Sequence, residues 1–255
     1  MFSKLFGFGK KPSVNIPDTE RNFSFLSTDM HSHLVPGIDD GAQTIDDSIE
    51  LIQKLMAMGF RSIITTPHIK TDHYPNNKVT IGGGMEQLKA ALTEKGIQIP
   101  IKAAAEYYID EYFMQLLANK ELLTIRDNEV LVEISFMAEP LRFHDILFQM
   151  QTSGYRPILA HPERYIFYHQ RPETYRELKN KGCLLQLNTI ALTGYYGKPV
   201  KQIAEYLLKE RLYDYCGSDM HHIKHAETLE RILDSNILES LIRYPFLNNR
   251  LHTTI

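Results

Sequence analysis

Seven short apolar runs rich in β-branched and aromatic residues punctuate the chain, and longer stretches with helical spacing separate most of them. The runs are FSFLSTDMH, RSIITTPH, IPIKAAAEYY, NEVLVEIS, YRPILAHPER, CLLQLN and LYDYCGSDMH. Strands that alternate with helices pair in parallel, because each crossover returns the chain to the same end of the sheet, and the helices then cover its outer face. The fold class is therefore α/β, with a mainly parallel sheet in one domain. A length of 255 residues suits a single core and lies near the roughly 250 residues typical of a (β/α) barrel.

Two of the helices are legible in detail. Ile45, Ile49, Ile52 and Leu55 recur at three- and four-residue steps, with Thr44 as N-cap and Gly59 just past the end. Val200, Ile203 and Leu207 line one face of a second helix opened by Pro199. Residues 1–22 read as a flexible N-terminal extension, because Pro12, Pro17 and a polar run set them apart from the domain at 23–255. The opening MFSKLFGFGKK lacks the apolar region and cleavage site of a signal peptide, so it reads as a tail, with weak membrane-surface contact as the alternative. HYPNN and the run Gly82 to Gly84 read as a flexible loop or a mobile lid.

Charge and composition exclude several functions. With 28 Lys and Arg against 31 Asp and Glu, the formal charge is −3 and no basic tract stands out, so a nucleic-acid partner is not expected. No apolar stretch reaches the roughly 18 residues of a spanning helix. Cys183 and Cys216 lie far apart in apolar runs and read as reduced, buried thiols, which suits the cytoplasm. They also lack an arginine six residues on, where Thr189 and His222 stand, so cysteine-based phosphatase chemistry is disfavoured.

The polar residues carry the function. In an extended chain Asp29, His31 and His33 project from one face. Six of the seven runs place a metal-capable side chain at or just after the carboxyl end: His31 with His33, His68, Glu106, Glu133, His161, and Asp219 with His221. In a parallel barrel all these ends face one mouth. Singly, His68 reads as a hydrogen-bonded structural residue and Glu133 as an edge charge. Together, five imidazoles and three carboxylates would be costly to bury unless cations neutralised them. Nitrogen and oxygen donors without cysteine suit zinc, manganese or iron, and eight of them exceed one ion's shell, so two or three divalent ions are expected. Clustered ions of this kind hold hydroxide at neutral pH and clamp the oxygens of a displacement, as in phosphatases. Arg164, three residues after His161, can reach the same mouth and fork onto phosphate, and Lys224 and His225 in HHIKH can touch substrate. The pair His144–Asp145 falls in a predicted helix and lacks the all-helical context of an HD-type phosphohydrolase.

The motifs DMHSHLVPGIDDG, ITTPH, AAAEYY, LVEIS, ILAHPERY and GSDMH occur in the order and spacing of a known family. From about Phe25 onward the chain resembles the bacterial tyrosine-protein phosphatases of the PHP (polymerase and histidinol phosphatase) superfamily, the CpsB/CapC type of capsule and exopolysaccharide biosynthesis. The resemblance implies a distorted (β/α)7 TIM-like barrel holding up to three metal ions, often manganese. It implies hydrolysis of phosphotyrosine by a metal-activated hydroxide, on a membrane-associated tyrosine kinase of exopolysaccharide export, in the cytoplasm or peripherally at the inner membrane. The family's ligands fall on His31, His33, His68, Glu106, Glu133, His161, Asp219 and His221, with Glu106 a bridge between ions and His221 or a metal assisting the leaving group. Arg164 matches a phosphate-contacting arginine. Some relatives carry a second arginine after SDMH; this chain continues HHIKHAE, so either Lys224 or His225 substitutes or transition-state stabilisation is weaker there. A small phosphomonoester such as histidinol phosphate is the alternative substrate, and a non-catalytic metal-holding module the alternative role.

Overall fold

A computed structural model describes residues 17–251. Most of the expected extension, residues 1–16, lies outside the described residues. Within its remainder, Arg21 Nε donates to the carbonyl of Leu233 at 2.8 Å.

Nine strands are present among the described residues: β1 (Thr28–Asp29), β2 (Ser62–Thr65), β3 (His68–Ile69), β4 (Ile101–Ala103), β5 (Glu106–Tyr108), β6 (Glu129–Glu133), β7 (Arg156–Ala160), β8 (Leu184–Asn188) and β9 (Tyr215–Gly217). The helices are α1 (Ile45–Ala57), α2 (Lys78–Glu94), α3 (Glu111–Asn119), α4 (Phe143–Thr152), α5 (Glu173–Asn180), α6 (Lys198–Lys209), α7 (Ile223–Leu233) and α8 (Asn236–Ile242). Seven apolar runs give nine strands because two of them are interrupted. The second run breaks at Thr66–Pro67, where proline has no N–H to give the ladder. The third breaks at Ala104–Ala105, yet Ala104 N–H still donates to Thr65 O at 2.9 Å and Glu106 N–H to Pro67 O at 3.1 Å.

All strand pairings are parallel, in the orders β1-β2-β4 and β3-β5-β6-β7-β8-β9. The sheet curls until its ends approach each other. Ser32 bridges Met220 in parallel, His33 N–H donates to Met220 O at 2.8 Å, and Asp219 N–H donates to His31 O at 2.8 Å. The result is one mixed α/β domain around a curled parallel sheet.

Side-chain alternation explains both core and site. Val130, Val132, Leu159, Leu185 and Leu187 join the large core beneath the helices. Their strand neighbours Leu131, Ile158, Ala160 and Leu184 form a second apolar cluster with Met30, Ile64 and Tyr215. Two residues beyond Leu131 on the same face comes Glu133, and beyond Leu184 come Gln186 and Asn188. The enclosed face is thus apolar along most of its length and polar at the carboxyl ends.

α1 begins as its sequence predicts. Thr44 Oγ1 accepts from Asp47 N–H at 3.1 Å and the Asp47 carboxylate accepts from Thr44 N–H at 2.9 Å, a reciprocal cap. Pro199 sits in the first turn of α6, where its missing N–H costs nothing.

The glycine run corrects an expectation. Gly82, Gly83 and Gly84 are neither loop nor lid but the interior of α2, started by Asn77, whose side chain accepts from Val79 and Thr80 N–H. Gly84 has a packing reason, since a Cβ there would come within 2.4 Å of Val35 Cγ1. Gly82 and Gly83 face open space. Substituting Gly82 by alanine therefore removes backbone entropy from the unfolded chain without a clash, and should add about 1 kcal/mol. Thermal unfolding should shift up by about 2–4 °C; an unchanged or lowered midpoint would mean that this turn is not helical.

Candidate metal centre

The strand ends bring the predicted donors together. Parallel register sets His68 on β3 beside Glu106 on β5, and Tyr108 beside Glu133 on β6. The segment after β1 carries His31 and His33 to the same place, and the turns after β7 and β9 carry His161 and Asp219. Four imidazoles surround one carboxylate. Glu106 Oε2 lies 3.2 Å from His31 Nε2, 3.4 Å from His33 Nε2 and 3.2 Å from His68 Nδ1, while Oε1 lies 3.0 Å from His161 Nε2. Asp219 Oδ1 approaches the Nε2 atoms of His31 and His33 at 3.3 and 3.6 Å. Glu133 stands behind, 3.8 Å from His161 Nε2 and 4.0 Å from His68 Nδ1.

The hydrogen bonds around the cluster fix which nitrogens can donate electrons. His31 Nδ1 faces Gln186 Oε1 at 2.9 Å, and the same oxygen accepts from His161 N–H, so the amide presents its acceptor. His33 Nδ1 faces the Asp39 carboxylate at 2.8 Å. Both partners accept, so each Nδ1 carries the proton and each Nε2 holds a lone pair. These two Nε2 atoms are 3.3 Å apart and both look at Glu106 and Asp219. Lone pairs facing one another between two carboxylates repel unless positive charge sits among them. His68 Nδ1 reinforces the point: it is buried and close to Glu106, yet not aligned for a hydrogen bond.

Acid–base balance says the same. Burial alone would lower the His31 pKa, but the charges of Glu106 and Asp219 push it up to about 9. Burial and the neighbouring Glu106 charge push Glu133 up to about 8. Burial opposes ionisation of Glu106 and Asp219 too, and the imidazoles nevertheless hold both well below the usual carboxylate range. A proton on each Nε2 would answer the carboxylates only by placing two positive N–H groups against each other. A cation shared by the nitrogens and oxygens answers all of them at once, so the donor set fits metal.

Three groups of donors can each close on an ion: His31, His33, Glu106 and Asp219; His33, Asp40, His68 and His221; and His68, Glu106 and Glu133. Asp40 was not expected. Its Oδ1 lies 3.5 Å from His68 Nε2 and 3.6 Å from His221 Nε2. His221 is held by its Nδ1–H donating to Asp219 O at 2.8 Å, and its ring stacks on His33 with centroids 3.9 Å apart. His161 and Asp219 both sit at positive φ, 34° and 52°, a strained backbone for residues with side chains. Close approach also constrains Gly41, where a Cβ would come within 2.1 Å of His33 O.

A cavity of about 330 Å³ opens over these donors. Arg164 lines it, with Nη1 donating to Asp219 Oδ2 at 3.2 Å, as do Phe136, Tyr74, Tyr196 and Lys70. Lys70 was missed, although it lies two residues beyond His68, just past the end of β3, where it lines the cavity. Its ammonium rests 4.3 Å from the Tyr108 ring centroid. His225 also lines the cavity but is buried, Nδ1 3.0 Å from Asp219 O. Lys224 does not reach it: α7 begins at Ile223 and turns Lys224 outward, exposed. HHIKH is thus the entry to a helix and not a free loop.

The residues that orient the donors had a partial signal in the sequence. Asp39 and Asp40 stand in the same short stretch as His31 and His33. Gln186 and Asn188 alternate on β8, the one run without a metal-capable end, and instead support its neighbours: Asn188 Nδ2 donates to Asp219 Oδ2 at 2.6 Å. Removing such a partner typically lowers metal affinity about 10–100-fold. Asp39→Asn should do so in a metal titration; full affinity would remove Asp39 from the site.

Comparison with known proteins shows the family and the fold. The family profile described as "Capsular polysaccharide synthesis, CpsB/CapC" matches residues 27–233. The tyrosine-protein phosphatase YwqE of Bacillus subtilis is 32% identical over 197 residues, 77% of this chain and 78% of YwqE. The putative tyrosine-protein phosphatase CapC of Staphylococcus aureus is 28% identical over 196 residues, 76% and 77% of the two chains. A solved structure from work on YwqE and on CpsB of Streptococcus pneumoniae, described there as metal-dependent tyrosine phosphatases, superposes with a TM-score of 0.73 at 29% identity. That match covers 83% of this chain and 90% of the other. The chain belongs to the CpsB/CapC family of capsular polysaccharide synthesis.

Proposed function

We propose that this protein is a metal-dependent protein-tyrosine phosphatase that holds two or three divalent cations, manganese foremost, with iron or zinc able to take the place. The observation that carries the reading is the pair of Nε2 atoms of His31 and His33, 3.3 Å apart between Glu106 and Asp219, under a cavity lined by Arg164. Parallel pairing throughout and the Ser32–Met220 bridge support a seven-stranded, distorted PHP-type barrel, each interrupted run counting as one strand.

Divalent cations in such a site supply Lewis acidity toward phosphoryl oxygens and acidify water. His31, His33, His68, His161, His221, Glu106, Glu133, Asp219 and Asp40 would hold them. Arg164 offers its remaining N–H groups to the equatorial oxygens, where charge accumulates as the ester breaks. Phe136, Tyr74 and Tyr196 give the cavity aromatic walls that suit a phenyl ring. A phenolate leaves with a conjugate-acid pKa near 10, so its departure asks little of a proton donor, and His221 is free to serve as a ligand. His225 buttresses the turn that carries Asp219. The substrate on this reading is phosphotyrosine on a tyrosine kinase of the polysaccharide machinery, met in the cytoplasm. Among the described residues no helix is long and apolar enough to cross a membrane.

Phosphate release from a phosphotyrosine peptide and from histidinol phosphate, each with and without chelator, tests the reading. Chelator-sensitive turnover that favours the peptide is expected. Preference for histidinol phosphate would move the substrate assignment, and activity that survives complete metal removal would overturn it.

A further inference from the structure

Arg164 is held in an unusual way. Its guanidinium carbon lies 4.5 Å from the ring centroid of Phe136 and 4.5 Å from that of Tyr196, so aromatic rings cover it from two sides. The two rings come from different parts of the fold, the loop after β6 and the turn before α6. Each is anchored. Phe136 stacks on Tyr165 with centroids 5.6 Å apart. Tyr196 Oη accepts from Asn188 Nδ2 at 3.1 Å, the same amide nitrogen that donates to Asp219 Oδ2. Asn188 is itself fixed, its N–H donating to the buried Glu163 carboxylate at 2.8 Å.

We infer that Phe136 and Tyr196 are positioning residues that aim Arg164 at a tetrahedral oxyanion, an inference that rests on the phosphatase reading above. With a ring 4.5 Å away on each of two sides and Nη1 on Asp219, the guanidinium keeps its other N–H groups for a ligand in the cavity it lines. The clamp serves two ends. The rings add cation–π stabilisation to the Asp219 ion pair, and they restrict the side chain's rotamers before substrate arrives, so less freedom is lost when a phosphoryl group is bound. It also keeps Arg164 from collapsing onto Glu133 and Glu106, whose charges attract it.

The test is a double-mutant cycle on the manganese-loaded protein, with kcat/KM on a phosphotyrosine peptide as one readout. The other, on protein loaded instead with diamagnetic zinc, is the 15N-edited NMR signal of the Arg164 Nε–H, identified by its loss in Arg164→Lys. Tyr196→Leu should lower kcat/KM about tenfold, the rate equivalent of one buried cation–π face. In an Arg164→Ala background the same change should cost less than about twofold, because residues that act through one another are not additive. Tyr196→Phe, which keeps the ring, should stay within about threefold of the parent. The Nε–H resonance should be shifted upfield by the rings in the parent and move toward its free position in Tyr196→Leu and Phe136→Leu. Equal losses with and without Arg164 would make Tyr196 a structural residue and overturn the clamp. So would a tenfold or greater loss in Arg164→Ala with none in Tyr196→Leu or Phe136→Leu, which leaves the phosphatase reading standing. Full activity in Arg164→Ala would overturn the clamp and remove Arg164 from phosphate binding.

Discussion

Glu106→Gln is expected to lower phosphatase turnover by at least about 10³-fold, well beyond the 10–100-fold typical of a residue that only orients a ligand. The substitution keeps the shape and removes the charge. In the native protein four imidazole nitrogens lie within 3.4 Å of the Glu106 oxygens, and among the described residues no other carboxylate touches as many. An amide there presents one neutral oxygen and one N–H₂ group to the same nitrogens, so two of the three donor groups lose their shared anion. Far-ultraviolet circular dichroism should remain native, because the surrounding apolar layers are untouched. Turnover within tenfold of the parent would show that Glu106 is a structural acid, and the account of the site would fail with it.

Metal removal should have the second large effect, on stability as well as activity. A cation bound only by the folded state stabilises it by RT ln(1 + [L]/Kd), about 4 kcal/mol at a thousandfold excess over Kd. For a chain of this size that is about 10 °C in the unfolding midpoint. The direction follows from burial: Glu106 and Asp219 are sealed from water, and without a cation their charges must be balanced by protons on His31 and His33, which places two positive N–H groups 3.3 Å apart. Dialysis against chelator should therefore lower the midpoint, and added manganese should restore it. Glu106→Gln should lose most of that metal-dependent gain. An unfolding midpoint indifferent to chelator would contradict the account even if activity were lost.

Much of this was legible in the sequence because strands impose a period of two. Alternation at Asp29, His31 and His33, and a donor at the end of six apolar runs, are enough to gather the principal candidate donors once parallel pairing is inferred. What alternation does not carry is a turn. Asp40 reaches the site through the bend after Pro36, and nothing in its spacing distinguishes it from a solvated acid. Lys224 lies outside the cavity lining for the converse reason: proximity in sequence to His221 means little once a helix starts at Ile223 and swings successive side chains about 100° apart. The glycines of α2 misled because flexibility was read from composition, whereas Asn77 caps a helix that Val35 packs against. Phe136 and Tyr196, from loops far apart in sequence, left no periodic trace at all.

The most direct test of the central claim is anomalous X-ray scattering from crystals of the protein soaked in manganese. Two or three peaks among His31, His33, His68, Glu106 and Asp219, at the roughly 2.0–2.2 Å bond lengths of nitrogen and oxygen donors to such metals, are what the geometry predicts. A map with no peak in that cluster, from protein that remains active, would contradict it.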